Sequence, residues 1–505
     1  MGFEIAAPLF PDFVSLNARW YPDKPAIITE TKTASWGELD WHSSQVANGL
    51  LAAGIGRGDS VAILMQNCVE YVEVLYGVFK AGAVAVPLNL AVSEDGLANM
   101  LQDCSARAIF FTPDQHERLA GRLAPLSDPL VRVMGADYQS WREAQEDQRP
   151  DIAIGEEDPC NIIYSSGTTG VPKGIKHAYR RRVQSMYELA LAHRYHYSSV
   201  SICPIGLYSN IAWASLFCAL IVGGTCIVRS RFDIEDWLTS VERYGVTHTF
   251  MVPIQFQRVL DYPGFKPARV APLEAVISGG APLLGDLKAR VAREFGCALL
   301  ELYGLTEGFM SVLQPEEAEG RLSSVGKPVR GNDYVLVDDD NEIADWGGTG
   351  EICVRSVHWM VEYHNRPEAT EEVKFVGPDG RVWLRTGDIG RTDTDGYLYI
   401  TDRKKDMIVS GGQNIFPVDI ETIMAGHPAI AEVAVIGIPH AEWGETPIAC
   451  VVLREGETAD PDELREWTNT RVGKRQRIAR AEICTDLPRN PNGKVLKRQL
   501  RDLHN

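Results

Sequence analysis

Short apolar segments alternate with segments of helical periodicity along the first part of the chain. Leu39, Val46 and Leu50 recur at the spacing of one helix face. The pattern predicts, in order, a helix at residues 35–54, a strand at 60–65, a helix at 71–81 and strands at 84–88 and 108–111. Strands that alternate with helices favour a parallel sheet covered by helices.

The same alternation returns in the middle of the chain. This second block is predicted to form strands at residues 247–252, 275–278 and 298–302 and helices at 255–260 and 287–295. Residues 333–400 are then rich in strand and turn patterns. After the charged run DRKKD at residues 402–406, a smaller mixture follows, with strands at 432–438 and 448–453 and a helix at 460–472.

These patterns predict an α/β protein with two unequal domains. Residues 1–401 are expected to form a large N-terminal domain of two similar α/β sheet subdomains plus a β-rich subdomain. Residues 402–406 suit a hinge, because a short charged run lies between two patterned regions. Residues 407–505 are expected to form a small, mobile α+β domain.

Residues 211–228 form an uncharged stretch of 18 residues, which raises the question of a membrane span. The stretch is at the lower length limit for a span, and Gly223 and Gly224 divide it. We therefore expect a buried helix, a tight turn and a core strand here, without stable membrane insertion.

Composition restricts the classes of function. A length of 505 residues exceeds a single hydrophobic core, and 45% apolar with 23% charged residues is typical of a globular enzyme. The net charge of −18 argues against non-specific electrostatic binding to nucleic acid, so local groups must hold any anionic ligand. Ten cysteines without a CxxC pair, and an N-terminus without a signal-peptide pattern, favour a reduced, cytoplasmic protein.

The sequence YSSGTTGVPKGIKH at residues 164–177 has the composition of a phosphate-binding loop. Glycines let main-chain N–H groups surround an anion, hydroxyl groups donate further hydrogen bonds, and Lys173 supplies a positive charge. The Walker pattern does not fit, because Pro172 and Gly174 flank this lysine. The alternative is a flexible surface loop. The candidate loop residues before the lysine are Ser165, Ser166, Gly167, Thr168, Thr169 and Gly170.

A second motif, ELYGLTE at residues 301–307, lies where a predicted strand meets a turn. Ligands collect at strand ends in α/β sheets. The ring of Tyr303 can stack on a purine, the hydroxyl of Thr306 can reach a phosphate, and the carboxylate of Glu307 can hold Mg²⁺. Alone, this motif is equally consistent with a plain turn, but it follows SGGAP at residues 278–282.

Two further motifs lie nearer the C-terminus. Asp388, in WLRTGD, is a candidate to accept both hydroxyls of a ribose, with assistance from Arg403. The turn PRNPNGK displays Lys494. Each has a simple alternative, an aspartate in a turn and a solvated lysine in a tail, and the other motifs argue against both.

The four motifs, in this order, resemble those of the adenylate-forming superfamily, which contains acyl-CoA synthetases, luciferases and peptide-synthetase adenylation domains. The resemblance runs from about residue 20 to the end of the chain. It implies a two-step ligase: a carboxylate attacks the α-phosphate of ATP to give acyl-AMP and pyrophosphate, and the thiol of CoA then displaces AMP.

The resemblance also implies roles for individual residues. Thr168, Thr169 and Lys173 would hold the β- and γ-phosphates, Thr306 would contact the α-phosphate, and Glu307 with Thr168 would place Mg²⁺. The nucleotide would lie along Gly280, Ala281, Glu301, Leu302, Tyr303 and Gly304, with Asp388 and Arg403 at the ribose. Lys494 would bridge carboxylate and phosphate, Lys405 would be the hinge position, and CoA would meet Gly411, Gly412, Trp443 and Arg475.

The segment GLYSN at residues 206–210 departs from the family pattern. Many relatives carry a histidine or another aromatic gate there, whereas this chain has Ser209 or, if the alignment shifts by two residues, Leu207. The candidate acyl pocket shows no obvious counter-charge, which favours a hydrophobic acid over an amino acid. Its residues are Tyr208, Ser209, Asn210, Trp213, Phe256, Leu302, Phe309 and Met310.

Aromatic and medium-chain fatty acids both stay open as substrates. The main hypothesis is a CoA ligase, and the rival is an adenylating enzyme that loads a carrier-protein phosphopantetheine. A non-catalytic binding protein is disfavoured because Lys173, Glu307, Asp388 and Lys494 are all present. A homodimer also stays open.

Overall fold

The structure is a computed structural model that describes residues 7–123, 129–165, 172–283, 285–338, 340–410, 413–474, 476–489 and 495–504. The N-terminal part folds, in chain order, into α1 (Phe10–Trp20), β1 (Pro25–Ile28), β2 (Thr33–Ser35), α2 (Trp36–Ala52), β3 (Ser60–Leu64), α3 (Val69–Lys80), β4 (Val84–Pro87), α4 (Glu94–Asp103), β5 (Ala108–Phe111), α5 (Pro113–Leu119), β6 (Leu130–Val133), α6 (Ala136–Glu143) and β7 (Pro159–Ser165).

The middle of the chain continues the alternation of strands and helices. It contains β8 (Lys173–Ala178), α7 (Tyr179–Ala192), β9 (Val200–Cys203), α8 (Asn210–Ile221), β10 (Thr225–Val228), α9 (Ile234–Tyr244), β11 (His248–Met251), α10 (Pro253–Asp261), β12 (Ala275–Gly279), α11 (Gly285–Phe295), β13 (Ala298–Gly304), β14 (Met310–Leu313) and β15 (Lys327–Pro328).

A strand-rich segment follows, and then the small C-terminal part. The former contains β16 (Asn332–Val337), β17 (Thr349–Ser356), β18 (Glu362–Tyr363), α12 (Pro367–Glu372), β19 (Lys374–Val376), β20 (Val382–Thr392) and β21 (Leu398–Arg403). The latter contains β22 (Ile408–Ser410), β23 (Gln413–Ile415), α13 (Pro417–Ala425), β24 (Ile430–His440), β25 (Gly444–Leu453), α14 (Pro461–Asn469), β26 (Ala481–Ile483) and α15 (Lys497–His504).

Local sequence explains where several helices begin and end. Ser35 and Glu38 form a capping box at the start of α2, in which each side chain accepts a hydrogen bond from the other residue's main-chain N–H, at 3.2 and 2.8 Å. Asp460 caps α14 in a similar way. Helix α9 ends at Gly245, whose φ of +60° is left-handed.

Two of the sheets among the described residues have parallel central strands, as predicted. One sheet has the order β18-β8-β7-β4-β3-β5-β6, and another has β15-β14-β13-β12-β11-β9-β10-β1-β2. The parallel arrangement ends at the edges of these sheets. Strands β7 and β8, and likewise β13 and β14, form antiparallel pairs, because the connections between them are too short for a crossover helix.

The division into successive α/β blocks was too simple. Strand β1 pairs with β10 in the second sheet, where Ile27 lies beside Cys226. Strand β18 pairs with β8 in the first sheet, where Tyr363 lies beside Ile175. The two sheets are therefore built from interleaved segments. The β-rich segment forms its own sheet, ordered β16-β17-β20-β19 with β21 on β20.

The small C-terminal part has a sheet ordered β23-β22-β25-β24, with β26 on β25. It encloses a core of its own, in which Ile420, Val435 and Leu464 are buried. The predicted boundary segment, residues 402–406, begins within β21, which ends at Arg403, and ends before β22 begins at Ile408.

The uncharged stretch at residues 211–228 forms the predicted helix, turn and strand. Most of α8 is buried, Gly223 has a left-handed φ of +75°, and β10 is buried throughout. Among the described residues, no helix has both the length and the apolar character that crossing a membrane requires.

We predict that Gly326, which lies just before β15, tolerates no side chain. Its φ is +81°, and a Cβ there would lie 2.0 Å from the Val312 carbonyl oxygen. Gly326→Ala should destabilise the protein by about 3 kcal/mol, from strain and overlap together. Gly380→Ala is the control, because Gly380 has a similar φ of +77° and a Cβ added there would have nothing within 4 Å. Thermal unfolding should show Gly326→Ala about 5 °C below the control; equal midpoints would contradict the predicted overlap.

Candidate active site

The glycine- and hydroxyl-rich loop connects two antiparallel strands. Ser165 ends β7, Lys173 begins β8, and the two residues are directly paired across the hairpin. The loop thus leaves and re-enters the sheet at the carboxyl end of β7, the edge at which α/β sheets bind ligands. Ser166, Gly167, Thr168, Thr169 and Gly170 lie outside the described residues.

Tyr363 brings Lys173 and Glu307 together. The Lys173 ammonium lies 4.9 Å from the centre of the Tyr363 ring, and the Tyr363 hydroxyl donates a hydrogen bond to Glu307 Oε1 at 2.8 Å. Burial, and then the neighbouring Glu307 carboxylate, raise the pKa of Tyr363. The hydroxyl therefore stays protonated and orients the carboxylate. Sequence reasoning missed this residue, which lies 190 positions beyond the lysine.

His177 fixes the main chain at Thr306. Its Nε2 lies 2.7 Å from the Thr306 carbonyl oxygen, and its Nδ1 lies 3.1 Å from the side-chain nitrogen of Asn161. Burial, followed by the charge of Arg182, lowers the pKa of His177 to about 3. The imidazole is thus neutral, so Nε2 donates to the carbonyl and Nδ1 accepts from the amide.

Tyr303, Asp388 and Arg403 form one hydrogen-bonded cluster. The Tyr303 hydroxyl donates to Asp388 Oδ2 at 2.8 Å, and Arg403 Nε lies 2.8 Å from Asp388 Oδ1. The direct pairing of Asp388 with Arg403 across β20 and β21 creates this arrangement. A carboxylate has about four acceptor positions, so each oxygen keeps one for a further hydroxyl group.

Glycines allow close packing at the neighbouring strand ends. Gly279 and Leu302 are paired at the carboxyl ends of β12 and β13. Gly280 has a φ of +83°, and a Cβ there would lie 2.4 Å from Ile211 Cδ1. At Gly304 a Cβ would lie 2.7 Å from the Phe309 carbonyl oxygen. Bare backbone at these positions lets the chain pack closely at the strand ends beside Ala281 and Tyr303.

Glu301 does not face the nucleotide edge with its motif neighbours. Its carboxylate is buried, forms an ion pair with Lys288, and accepts a hydrogen bond from the Leu283 main-chain N–H at 3.3 Å. These contacts occupy the Glu301 carboxylate, and nucleotide binding at Glu301 stays a prediction. Its carboxylate supports the loop that follows β12.

The acyl-side residues gather at the start of α8. Ser209 is the N-cap of this helix, and its hydroxyl accepts from the Ala212 main-chain N–H at 3.3 Å. Trp213 Nε1 donates to the Leu207 carbonyl at 2.7 Å. Because the Ser209 hydroxyl caps the helix and Leu207 is fully buried, neither side chain is free to act as a gate.

Other candidates on the acyl side differ in their surroundings. Met310 is nearly buried, and the Ser185 hydroxyl lies 3.7 Å from its sulfur, whereas Tyr208 keeps some exposure. Phe309 is buried against the Tyr303 ring, with centroids 6.0 Å apart. Phe256 lies in a separate core cluster, 5.7 Å from the Phe295 ring. Phe256 is therefore removed from the candidate pocket.

A buried cation that the sequence analysis did not single out lies beside the start of α8. Arg182, in α7, has a buried guanidinium that donates to Asn210 Oδ1. The charge was visible in the sequence, but nothing there placed it beside α8.

The hinge region contacts the small domain through two carboxylates. Asp402 Oδ2 accepts a hydrogen bond from the Val418 main-chain N–H at 3.2 Å, and Asp406 Oδ1 pairs with Arg501 at 2.9 Å. The Lys405 side chain between them is exposed. Burial raises the pKa of Asp402 to about 6.

The residues expected to meet CoA are only partly described. Trp443 is half exposed and lies in the turn between β24 and β25, where its main-chain N–H lies 3.2 Å from His440 Nδ1. An exposed indole is available for contact with a ligand. Gly411, Gly412, Arg475 and Lys494 lie outside the described residues.

Comparison with known proteins agrees with this geometry. The family model described as "AMP-binding enzyme" matches residues 14–364, and the model described as "AMP-binding enzyme C-terminal domain" matches residues 419–494. The chain belongs to this family of adenylate-forming enzymes.

Individual relatives narrow the class. The chain is 34% identical over 489 residues to a feruloyl-CoA synthase of Amycolatopsis sp., which covers 96% of this chain and 97% of that protein. It is 30% identical over 504 residues to the fatty acid–[acyl-carrier-protein] ligase ScoC of Streptomyces coeruleorubidus, over 97% and 95% of the two chains. ATP-bound MatB from Rhodopseudomonas palustris superposes with a TM-score of 0.89 at 28% identity, over 97% and 99%. The protein is an AMP-forming acid–thiol ligase.

We predict that Tyr363 positions Glu307 for the reaction with ATP. Tyr363→Phe removes the hydroxyl that holds the carboxylate, and hydrogen bonds to charged groups contribute roughly 1.5–3 kcal/mol. We expect kcat/KM for MgATP to fall about tenfold or more, as measured by acid-dependent pyrophosphate release.

Tyr399→Phe is the matched control. The Tyr399 hydroxyl also donates to a carboxylate, Asp393 Oδ2 at 2.9 Å, within the β-rich sheet. The control should keep the wild-type value. Equal losses in the two variants would indicate a general stability effect and contradict the positioning role.

Proposed function

We propose that this protein is an acid–CoA ligase that activates an apolar-bodied carboxylic acid with ATP and then transfers the acyl group to CoA. One observation carries the proposal: the Lys173–Tyr363–Glu307 group and the Tyr303–Asp388–Arg403 cluster both adjoin the carboxyl end of β13, because Tyr303 lies in that strand and Glu307 in the turn after it. A cation and a carboxylate suit a phosphate–metal unit, and a buried aspartate suits a ribose.

The residues support a binding mode for ATP. Asp388 accepts the two ribose hydroxyls at its remaining acceptor positions, and the adenine lies against Tyr303 and the bare backbone at Gly280. Lys173 and Thr169 contact the terminal phosphates, and Thr306 contacts the α-phosphate. His177 holds the Thr306 main chain, so this contact is fixed before ATP binds.

The donor set also fits Mg²⁺. Glu307 offers a carboxylate that a neutral tyrosine hydroxyl orients, and oxygen donors of this kind are what the ion prefers. Thr168 would complete the protein's share of the ligands. When bound, the ion neutralises phosphate charge during attack at the α-phosphate.

Repulsion between two anions is the main barrier to the first step, since a carboxylate must approach a triphosphate. Lys494 bridges the acid and the α-phosphate and offsets this repulsion. The attack forms the bond between the carboxylate oxygen and the α-phosphorus and releases pyrophosphate. In the second step the CoA sulfur attacks the acyl carbon, and AMP leaves.

The small domain must serve both steps with different faces. Lys494 lies near its C-terminal end, whereas Gly411, Gly412 and Trp443 belong to other parts of the domain. We infer that the domain rotates about Lys405 after acyl-AMP forms, which withdraws Lys494 and presents the Trp443 side to CoA. Arg475 lies in the basic segment that would meet CoA phosphates.

A carrier protein is the second candidate acceptor of the acyl group. The similarity to ScoC supports this acceptor, because ScoC is named as a ligase that acts on an acyl carrier protein. Both acceptors present the same phosphopantetheine thiol. The similarity to a feruloyl-CoA synthase supports CoA as the acceptor and an aromatic acid as the substrate just as directly.

The first test is direct. Wild-type protein with ATP, Mg²⁺, CoA and a panel of acids should yield thioesters, detected by mass. Aromatic or C6–C10 acids should exceed acetate by more than tenfold in kcat/KM, because each buried methylene contributes about 0.8 kcal/mol. AMP release without acyl-CoA, together with acylation of a supplied holo carrier protein, would favour the second acceptor.

Lys173→Ala should keep the fold of the protein and raise the KM for MgATP.

The rotation is tested by separating the half-reactions. Lys494→Ala should reduce adenylate formation more than about 100-fold while thioester formation from supplied acyl-AMP stays near wild type, because lost electrostatic stabilisation affects only the first step. Lys405→Pro, which restricts the hinge backbone, should do the reverse. Lys405→Ala is the control that keeps the backbone free. Equal loss of both half-reactions in the first two variants would contradict the two-position mechanism.

A further inference from the structure

Arg182 lies inside the protein, between α7 and the start of α8. The side chain is only 4% exposed, its Nη2 donates to Asn210 Oδ1, and the guanidinium carbon lies 5.3 Å from the centre of the Trp213 ring. Its neighbours Arg180 and Arg181 are more exposed, and both pair with Glu157 on the surface. One helix turn thus carries two solvated cations and one buried cation.

The buried cation has no carboxylate partner among the described residues. Its Nε is buried without a hydrogen-bond acceptor, and the ionisable groups that favour its charge are the thiols of Cys160 and Cys218. Burial raises the pKa of Cys160 to about 12, and that of Cys218 is raised too, so both thiols are neutral. Burying a charge without a paired partner is costly, and proteins ordinarily pair such groups.

The surroundings of Arg182 connect it to the acyl side of the active site. Asn210, which accepts its hydrogen bond, precedes Ile211, the residue in contact with Gly280. Ser185, one helical turn beyond Arg182, contacts Met310. The guanidinium therefore lies among the residues expected to surround the acyl group, beyond the nucleotide strand ends.

We propose that Arg182 and Asn210 bind a second carboxylate, at the end of the acid substrate opposite the reacting carboxyl group. The inference rests on the proposed function and deepens it, since it makes the substrate an apolar-bodied dicarboxylic acid. The planar guanidinium can form two parallel hydrogen bonds to a carboxylate. Asn210 accepts from Arg182 through Oδ1, which leaves its Nδ2 to donate to the same anion.

The chemistry of the surroundings matches a molecule with two polar ends and an apolar middle. Trp213, Met310 and Tyr208 offer apolar surface, while Lys494 would serve the reacting end. A site built to bond a polar group rejects an analogue that lacks it, because the buried partner is then left unpaired. The far carboxylate would thus act in selection, and no bond to it is made or broken.

The experiment uses the wild-type protein with matched acids. Aliphatic C6–C10 diacids and a benzene-ring diacid are compared with their monomethyl esters, which have nearly the same shape and one free carboxyl group. We expect each preferred diacid to exceed its ester at least tenfold in kcat/KM for AMP release. Equal or better use of the esters by wild-type protein would overturn the proposal, whatever the variants show.

Variants at the subsite assign the preference to Arg182. Arg182→Gln should reduce the diacid-to-ester ratio to near one while the KM for ATP stays within about twofold of wild type. Arg182→Lys keeps the charge but loses the paired N–H donors of the guanidinium, so its diacid-to-ester ratio should lie between those of Arg182→Gln and wild type. Arg180→Gln is the matched control on the same helix, at a residue that is 52% exposed, and should leave the ratio unchanged.

The outcomes also separate this proposal from the proposed function. Failure to release AMP with every acid in the panel would argue against the ligase function itself. Activation of acids with a ratio that does not change in Arg182→Gln would leave the ligase intact and overturn the subsite. If Arg182→Gln does not fold, the wild-type ratio and the Arg182→Lys variant decide.

Discussion

The hydrogen bond between the Tyr363 hydroxyl and the Glu307 carboxylate joins segments that are distant in the chain. It exists because the two-residue strand β18 pairs with β8. Tyr363 lies beside Ile175 in this pairing, two residues beyond Lys173. Lys173 and Tyr363 belong to the first sheet, whereas Glu307 follows β13 of the second, so this hydrogen bond connects the two sheets. Interleaving the sheets is thus what assembles one phosphate site from the loop of the first sheet and the strand end of the second.

Local electrostatics oppose the charge of the whole molecule. A net charge of −18 repels ATP, so each part of an anionic ligand needs its own cation or hydrogen-bond donor. The structure pairs two of the carboxylates near the site with cations. Asp388 is neutralised by Arg403, Glu301 by Lys288, and Arg182 lies where no described carboxylate reaches it. Burial then makes each remaining charge more effective than it would be in water.

Much of the fold could be predicted from hydrophobic periodicity. The helix, turn and strand within residues 211–228 formed as expected, since α8 and β10 are uniformly apolar and two glycines separate them. Pairings such as β1 with β10 could not be predicted, because periodicity defines an element and leaves its partner undefined. The same limit explains the site. Asp388 and Arg403 were expected together from their motifs. The roles of Tyr363 and Arg182 depend on contacts between distant segments. Phe256 has an apolar side chain, which fits a core as well as a pocket.

The hinge contacts set the energetic scale of the proposed rotation. The bonds from Val418 to Asp402 and from Arg501 to Asp406 would have to break, and each contributes only about 1–3 kcal/mol. Asp402 also carries a pH dependence, because small-domain residues help to bury it and raise its pKa from 3.8 to about 6. A raised carboxyl pKa favours this orientation most below about pH 4, and that part of its stability is lost as pH rises through about 6. Near neutral pH the buried carboxylate is therefore mostly ionised, and its burial costs free energy that the hydrogen bond from Val418 partly offsets. A weakly held orientation of the small domain is what the proposed rotation requires.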